Sequence, residues 1–264
     1  MSRLIGSVSL VVSMMLSTAT SAQEKAQKTV VLVHGAFADG SSWDKVIPLL
    51  QAKGLKVVAV QNPLTSLGDD VASARRVIDA QTGPVILVGY SWAGTVITEA
   101  GVHERVAALV YVAAFAPDVG ESTVDLGKDL PPPPGSASIH PDAAGFLYLT
   151  PQGVAKDFAP DLPAAQTRVM AATQGPIFAK AFGEKVTNAA WKNRPSWFIV
   201  AEKDRMIQPA LERAMAKKIL LALREAGGRV GGLEGAAARL GLKRTTLIAR
   251  MKKLGIEPRP RSAA

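Results

Sequence analysis

Pro84-Val85-Ile86-Leu87-Val88-Gly89-Tyr90-Ser91-Trp92-Ala93-Gly94 is the stretch that decides the fold of this chain. A continuous apolar, β-branched run reads as a buried parallel strand. It runs straight into a turn of the Gly-x-Ser-x-Gly type, a sharp strand-to-helix reversal that presents a serine hydroxyl to a cleft. Small residues on either side let the strained backbone pass without clashing. Ala93 stands where that pattern has its last glycine, and Gly94 follows it. The N–H of Trp92, at the start of the next helix, would point toward an oxyanion. A second donor would come from the loop after the first strand, most simply from Ala36. The five-residue pattern alone is weak evidence, and its neighbours give it weight.

Upstream, Thr29-Val30-Val31-Leu32-Val33 is a short buried strand ending in His34-Gly35, and Val57-Val58-Ala59-Val60 is a second. Residues 43–51 and 67–80 have helical spacing, and Asp69 and Asp70 in the first turn of the latter suit the helix dipole. Downstream, a helix over 95–101 leads to a fourth strand over 106–113. Strands alternating with helices predict an α/β domain with a parallel sheet and helices on both faces. The pattern changes between 117 and 193, where Pro131-Pro132-Pro133-Pro134-Gly135 is a rigid breaker. That segment reads as a cap inserted over the sheet, because a strand resumes at Ser196-Trp197-Phe198-Ile199-Val200. Asp204 follows that strand, and one helix is predicted from Pro209 to about Ala226.

With Val33-His34-Gly35-Ala36-Phe37, the Ser91 turn and Ile199-Val200-Ala201-Glu202-Lys203-Asp204-Arg205 in place, the chain resembles the α/β-hydrolase family over about 27–219. Within it, the resemblance is to the bacterial esterase-like branch related to plant methylesterases and hydroxynitrile lyases. The resemblance implies that Ser91 is the nucleophile, Asp204 the orienting acid, and Ala36 with Trp92 the oxyanion hole. It implies a small ester or amide substrate, no cofactor and no metal. His34 falls in the turn before the oxyanion loop, where a structural role is expected.

The family supplies its catalytic histidine after one more strand, and this chain has neither. Its three histidines are His34, His103 and His140. His103 precedes the fourth strand, at the sheet end away from the cleft, and His140 sits in the cap after the proline run. A serine hydroxyl without a base is a poor nucleophile. Removing serine or histidine from a triad costs on the order of a millionfold in turnover, leaving roughly a thousandfold or more over water. An impaired, destabilised hydrolase is therefore expected, with a sheet edge exposed at 196–200.

The charge is divided. Residues 219–264 carry ten Lys/Arg against three Asp/Glu, while the first 218 carry 21 against 19. A basic tail on a nearly neutral body suits a polyanion partner or a solvated end. Leu233 to Leu240 and Arg244 to Leu254 read as two short helices joined by Gly241-Leu242, a helix-turn-helix shape. Lys243, Arg244, Thr246, Arg250 and Lys253 remain for its outer face, as a groove-docking helix requires. Ala222-Leu223-Arg224-Glu225-Ala226-Gly227-Gly228-Arg229-Val230 and Gly235-Ala236-Ala237-Ala238-Arg239-Leu240-Gly241-Leu242-Lys243-Arg244-Thr245-Thr246-Leu247 resemble the Fis-type C-terminal module of bacterial enhancer-binding activators, over about 219–258. The resemblance implies DNA binding as a homodimer. No Gly-x-x-x-x-Gly-Lys phosphate loop accompanies it, and residues 259–264 form a short tail.

The N-terminus reads as an export signal. Arg3 is followed by an uncharged apolar run over 4–16 and by Thr20-Ser21-Ala22 before a cut at Gln23. The run is shorter than the about 20 residues a membrane span needs. Cysteine is absent, so no disulfide, thiolate site or cysteine nucleophile is available. Three readings stand together: an exported, periplasmic or secreted esterase relative; a cytoplasmic DNA-binding regulator with a ligand-sensing or inert hydrolase-like body; and two genes joined near Ile219-Leu220.

Overall fold

The computed structural model describes residues 27–225. The export-signal segment and both helices of the helix-turn-helix reading, with Lys243, Arg244, Thr246, Arg250 and Lys253, lie outside the described residues.

In chain order the strands are β1 (Thr29–Val33), β2 (Lys56–Ala59), β3 (Val85–Ser91), β4 (Val106–Ala114), β5 (Ile139–Pro141), β6 (Phe146–Leu149), β7 (Ile177–Phe178) and β8 (Ser196–Ile199). The helices are α1 (Ile47–Gln51), α2 (Leu67–Asp79), α3 (Ala93–Ala100), α4 (Thr123–Gly127), α5 (Pro151–Gly153), α6 (Ala164–Thr173) and α7 (Pro209–Glu225). Five strands form a wholly parallel sheet in the order β2-β1-β3-β4-β8. The alternation along β1 shows why both faces are covered. Val31 and Val33 enter the larger core, with α2, α3 and α7, while Val30 and Leu32 join Trp43 and Val88 on the α1 side.

α2 buries Leu67, Val71, Ala74 and Ile78, a spacing that keeps one apolar stripe on the sheet. Ser66 caps it by accepting from the Asp69 N–H at 3.0 Å. Ile219-Leu220, read as a junction, lies inside α7, which runs unbroken, and Ile219 is buried in the larger core.

Several expectations need correction. β3 carries its pairing with β4 through Ser91, so the strand reaches into the turn itself. The helix read over 43–51 is two pieces, a 3₁₀ turn (Gly40–Trp43) and then α1, whose start is set by Pro48. The cap between β4 and β8 is not only helical. It holds a three-stranded antiparallel sheet, β5-β6-β7, and the proline run ends in a 3₁₀ turn (Pro134–Ser138). Asp70 stands in the first turn of α2 as expected, and its carboxylate is fully buried. β8 pairs only with β4 among the described residues, and its Ile199 is 55% exposed, so the expected open edge is present.

Candidate active site at the end of β3

The turn at Ser91 is tight because its neighbours leave no room. Ser91 has φ 52°, in the left-handed region that L-residues avoid. A Cβ on Gly89 would lie 2.7 Å from the Ala93 carbonyl oxygen, and one on Gly94 would lie 2.1 Å from the Phe115 carbonyl oxygen. Gly94, one residue beyond the motif position, is therefore the glycine that the crossing with β4 demands, while Ala93 is accommodated and fully buried. The register between β3 and β4 slips beside the serine: Tyr90 faces Val112 and Ser91 faces Ala114. Ala113 is the extra residue, with φ 42°, and this bulge turns the end of β4 as Ser91 leaves the sheet.

The loop after β1 closes against the serine. A Cβ on Gly35 would lie 2.9 Å from both the Ser91 Cβ and the Tyr90 carbonyl oxygen, so only glycine permits this approach. Ala36 follows, 2% exposed, and Trp92 is fully buried. Neither backbone N–H of this pair has a hydrogen-bond partner among the described residues. Buried unpaired N–H groups are rare, because each gives up hydration without return. Two of them on the two segments that flank Ser91 suit charge that appears only during a reaction.

Asp204 stands on the loop after β8. Its Oδ1 accepts the N–H groups of Met206 and Ile207, at 2.6 and 2.7 Å. Behind it, on α7, lies Glu212, a residue with no sequence signal beyond a place in a helix's first turn. It is fully buried; its Oε2 accepts the Ala201 N–H at 2.8 Å, and Oε1 has no hydrogen-bond donor among the described residues. Burial foremost, then the charges of Asp204 and Glu202, push this carboxyl up to about 8, against the pull of the Ala201 N–H. The shift favours the neutral acid at this position at neutral pH. The loop is also latched to the cap: Arg205 Nε donates to Asp157 at 2.7 Å, and the Gly135 N–H donates to the Arg205 carbonyl at 2.8 Å.

None of the three histidines is brought to Ser91 as a base. In His34, Nε2 accepts the Asn62 N–H at 2.9 Å, which leaves Nδ1 to donate to the Gly35 carbonyl at 2.9 Å. Both nitrogens are committed, and burial holds the ring's pKa below its usual value. His103 pairs with Asp79 at 2.9 Å and accepts the Arg105 N–H, at the N-terminal end of β4. His140 is exposed on β5, opposite Tyr148. Among the described residues no group of three His, Asp or Glu side chains is placed to hold a metal ion, and no helix is long and apolar enough to cross a membrane.

The model of the alpha/beta hydrolase family matches residues 30–233. A probable hydrolase of Phoma sp. is 30% identical over 200 residues, 68% of this chain and 79% of that protein. The crystal structure of a pyrethroid hydrolase from Sphingobium faniae JZ-2 superposes with a TM-score of 0.60 at 22% identity, covering 72% of this chain and 84% of that one. Over 39 residues, 15% of this chain, the sequence is 62% identical to 6% of the formate hydrogenlyase transcriptional activator FhlA of Escherichia coli K12.

Proposed function

The chain belongs to the alpha/beta hydrolase family, and from that premise we propose that its body is an esterase-like serine hydrolase, impaired for want of a histidine base. One observation carries the reading: Ser91 is held at φ 52° between two segments whose buried Ala36 and Trp92 N–H groups have no partner among the described residues. In this reading the Ser91 oxygen attacks an ester carbonyl, and the two N–H groups receive the oxyanion. The alcohol leaves, and water then cleaves the acyl-serine. Asp204 has no imidazole to orient, so the Ser91 proton passes to solvent water. Esters suit this site better than amides, because an alkoxide departs with less help from a proton donor than an amine requires.

A fluorophosphonate probe reports on Ser91 directly. Wild type is expected to be labelled slowly and Ser91→Ala not at all, read by intact mass. Equal labelling of the two proteins would remove Ser91 from the nucleophile's role.

For the tail we propose DNA binding by residues 219–258, on the strength of the 39-residue match to a transcriptional activator and the local excess of Lys/Arg. Affinity for duplex DNA should fall steeply with salt, and Arg244→Ala should weaken binding and lower the salt slope by about one. No retardation of any duplex at low salt would end this part of the reading. Whether the body serves the tail as a ligand sensor depends on the fate of residues 1–22, since an exported protein meets no chromosome.

A further inference from the structure

Asp70 lies on α2, away from the motifs, yet its carboxylate is fully buried behind the serine turn. One oxygen accepts the Trp92 indole N–H at 2.7 Å, and the other accepts the Leu64 N–H at 2.8 Å. Trp92 also supplies one of the two unpartnered backbone N–H groups. Leu64 has φ 59°, a conformation that a side chain of its size adopts only when held. Its carbonyl accepts the N–H of Phe178 in cap strand β7 at 2.8 Å. Just before β7, the Gly175 carbonyl accepts the Phe37 N–H at 3.1 Å, and Phe37 follows Ala36 with φ 60°. A Cβ on Gly175 would lie 2.8 Å from the Ala38 carbonyl oxygen and 2.9 Å from Leu64 Cδ1, so this cap segment is pressed onto both loops. One carboxylate therefore ties together the serine turn, the strained Leu64 loop and, through them, the cap and the loop that carries Ala36.

Resting on the reading of Ser91 as nucleophile, we propose that Asp70 is a positioning residue of the serine site: its ionised carboxylate, by accepting from Trp92 and Leu64 together, seats the cap over the oxyanion loop and sets the alignment of both N–H donors. A carboxylic acid in its place keeps one good acceptor and loses the other, so protonation releases either the indole or the Leu64 loop. Burial is the largest influence on Asp70, and with the charges of Asp69 beside it and Glu184 on the cap it raises the carboxyl to about 6, against the two N–H groups. Glu184 adds a second tie, accepting the Leu67 N–H at 2.9 Å. The release therefore falls within mildly acidic conditions.

The test compares wild type with Asp70→Asn by fluorophosphonate labelling and follows indole N–H resonances of the full chain by ¹H–¹⁵N NMR, with Trp92→Phe giving the assignment. The Trp92 indole signal should titrate with a midpoint near 6 in wild type. At pH 7.5 the variant should label about tenfold or more slowly, since small misalignments of a reacting group are costly. At pH 5 the ratio should close toward one, because wild type is then itself protonated. The ratio cancels the intrinsic pH dependence of the serine, and a merely structural defect would leave it constant. A Trp92 signal that does not move between pH 5 and 7.5, or a ratio independent of pH, overturns the proposal. A wild type that never labels sinks the nucleophile reading instead, and the indole titration still decides whether Asp70 holds the turn.

Discussion

Gly94→Ala should destabilise the protein by about 3 kcal/mol, at the upper end for a single added methyl group in a packed interior. The new Cβ would sit 2.1 Å from the Phe115 carbonyl oxygen, 2.8 Å from the Ala114 Cβ and 2.9 Å from the Phe115 nitrogen. Two of these atoms are backbone, and they belong to Phe115 just past the end of β4, whose N–H also donates to the Ser91 carbonyl at 3.2 Å. No side chain can rotate away to relieve the contact. The helix would have to lift from the strand, carrying the Trp92 N–H with it, so labelling of Ser91 should disappear along with the lost stability. Urea unfolding at unchanged m-value measures the first effect. Ala93→Gly, which removes a buried methyl group one position earlier, should cost less, about 1 to 2 kcal/mol, through lost packing and helix propensity. A Gly94→Ala midpoint indistinguishable from wild type would mean that β4 and α3 do not cross as closely as described.

The second large effect is a pH dependence set by Glu212. Its carboxyl stands at about 8 in the folded chain against an ordinary 4.5. The folded state therefore holds a proton that the unfolded chain has already released between those two values. Stability from this group is fully present below 4.5, declines as pH rises, and is lost once pH passes 8. Each tenfold difference in proton affinity between the folded and unfolded chain is worth about 1.4 kcal/mol, so the loss should reach the order of a few kcal/mol. Glu212→Gln should flatten the curve over this interval. Its amide oxygen still accepts the Ala201 N–H, and its NH₂ replaces the acid proton facing Asp204. Chemical unfolding at a series of pH values from 5 to 9 compares the two. Parallel curves for wild type and Glu212→Gln would show that Glu212 is ionised throughout.

The main sheet was legible because its strands announce themselves locally. Thr29–Val33 is a β-branched run buried on every residue, and Val85–Ser91 carries both a strand and its terminating motif. The cap sheet was not legible, since β7 is two residues long and β5 is three, too short for any alternation to register. Ser91, Ala36 and Trp92 were named from a motif and a loop position, and the structure brings the Gly35-Ala36 loop and Trp92 to the serine. Asp70 and Glu212 escaped notice because what distinguishes them is distant in sequence. An aspartate in the first turn of α2 looks like a dipole partner until the Trp92 indole is found on it. A glutamate at the start of α7 looks solvated until the Ala201 N–H and Asp204 close over it. The lack of a spare histidine was countable from composition. That His34 is already bonded through both nitrogens was not.

The order of strands also dictates an order of events. β3 and β4 are joined through α3 alone and lie side by side, so the serine turn can form early from contacts close in sequence. β8, which docks beside β4 and pairs Leu109 with Ser196, follows the whole cap in the chain, so its pairing closes a long loop. During synthesis the chain therefore passes through a stage in which β4 is the sheet's outer edge and Asp204 has not arrived. The serine turn is therefore complete before the loop that carries Asp204 has been made. Until β8 arrives, β4 presents an unpaired border of the kind that invites edge-to-edge association.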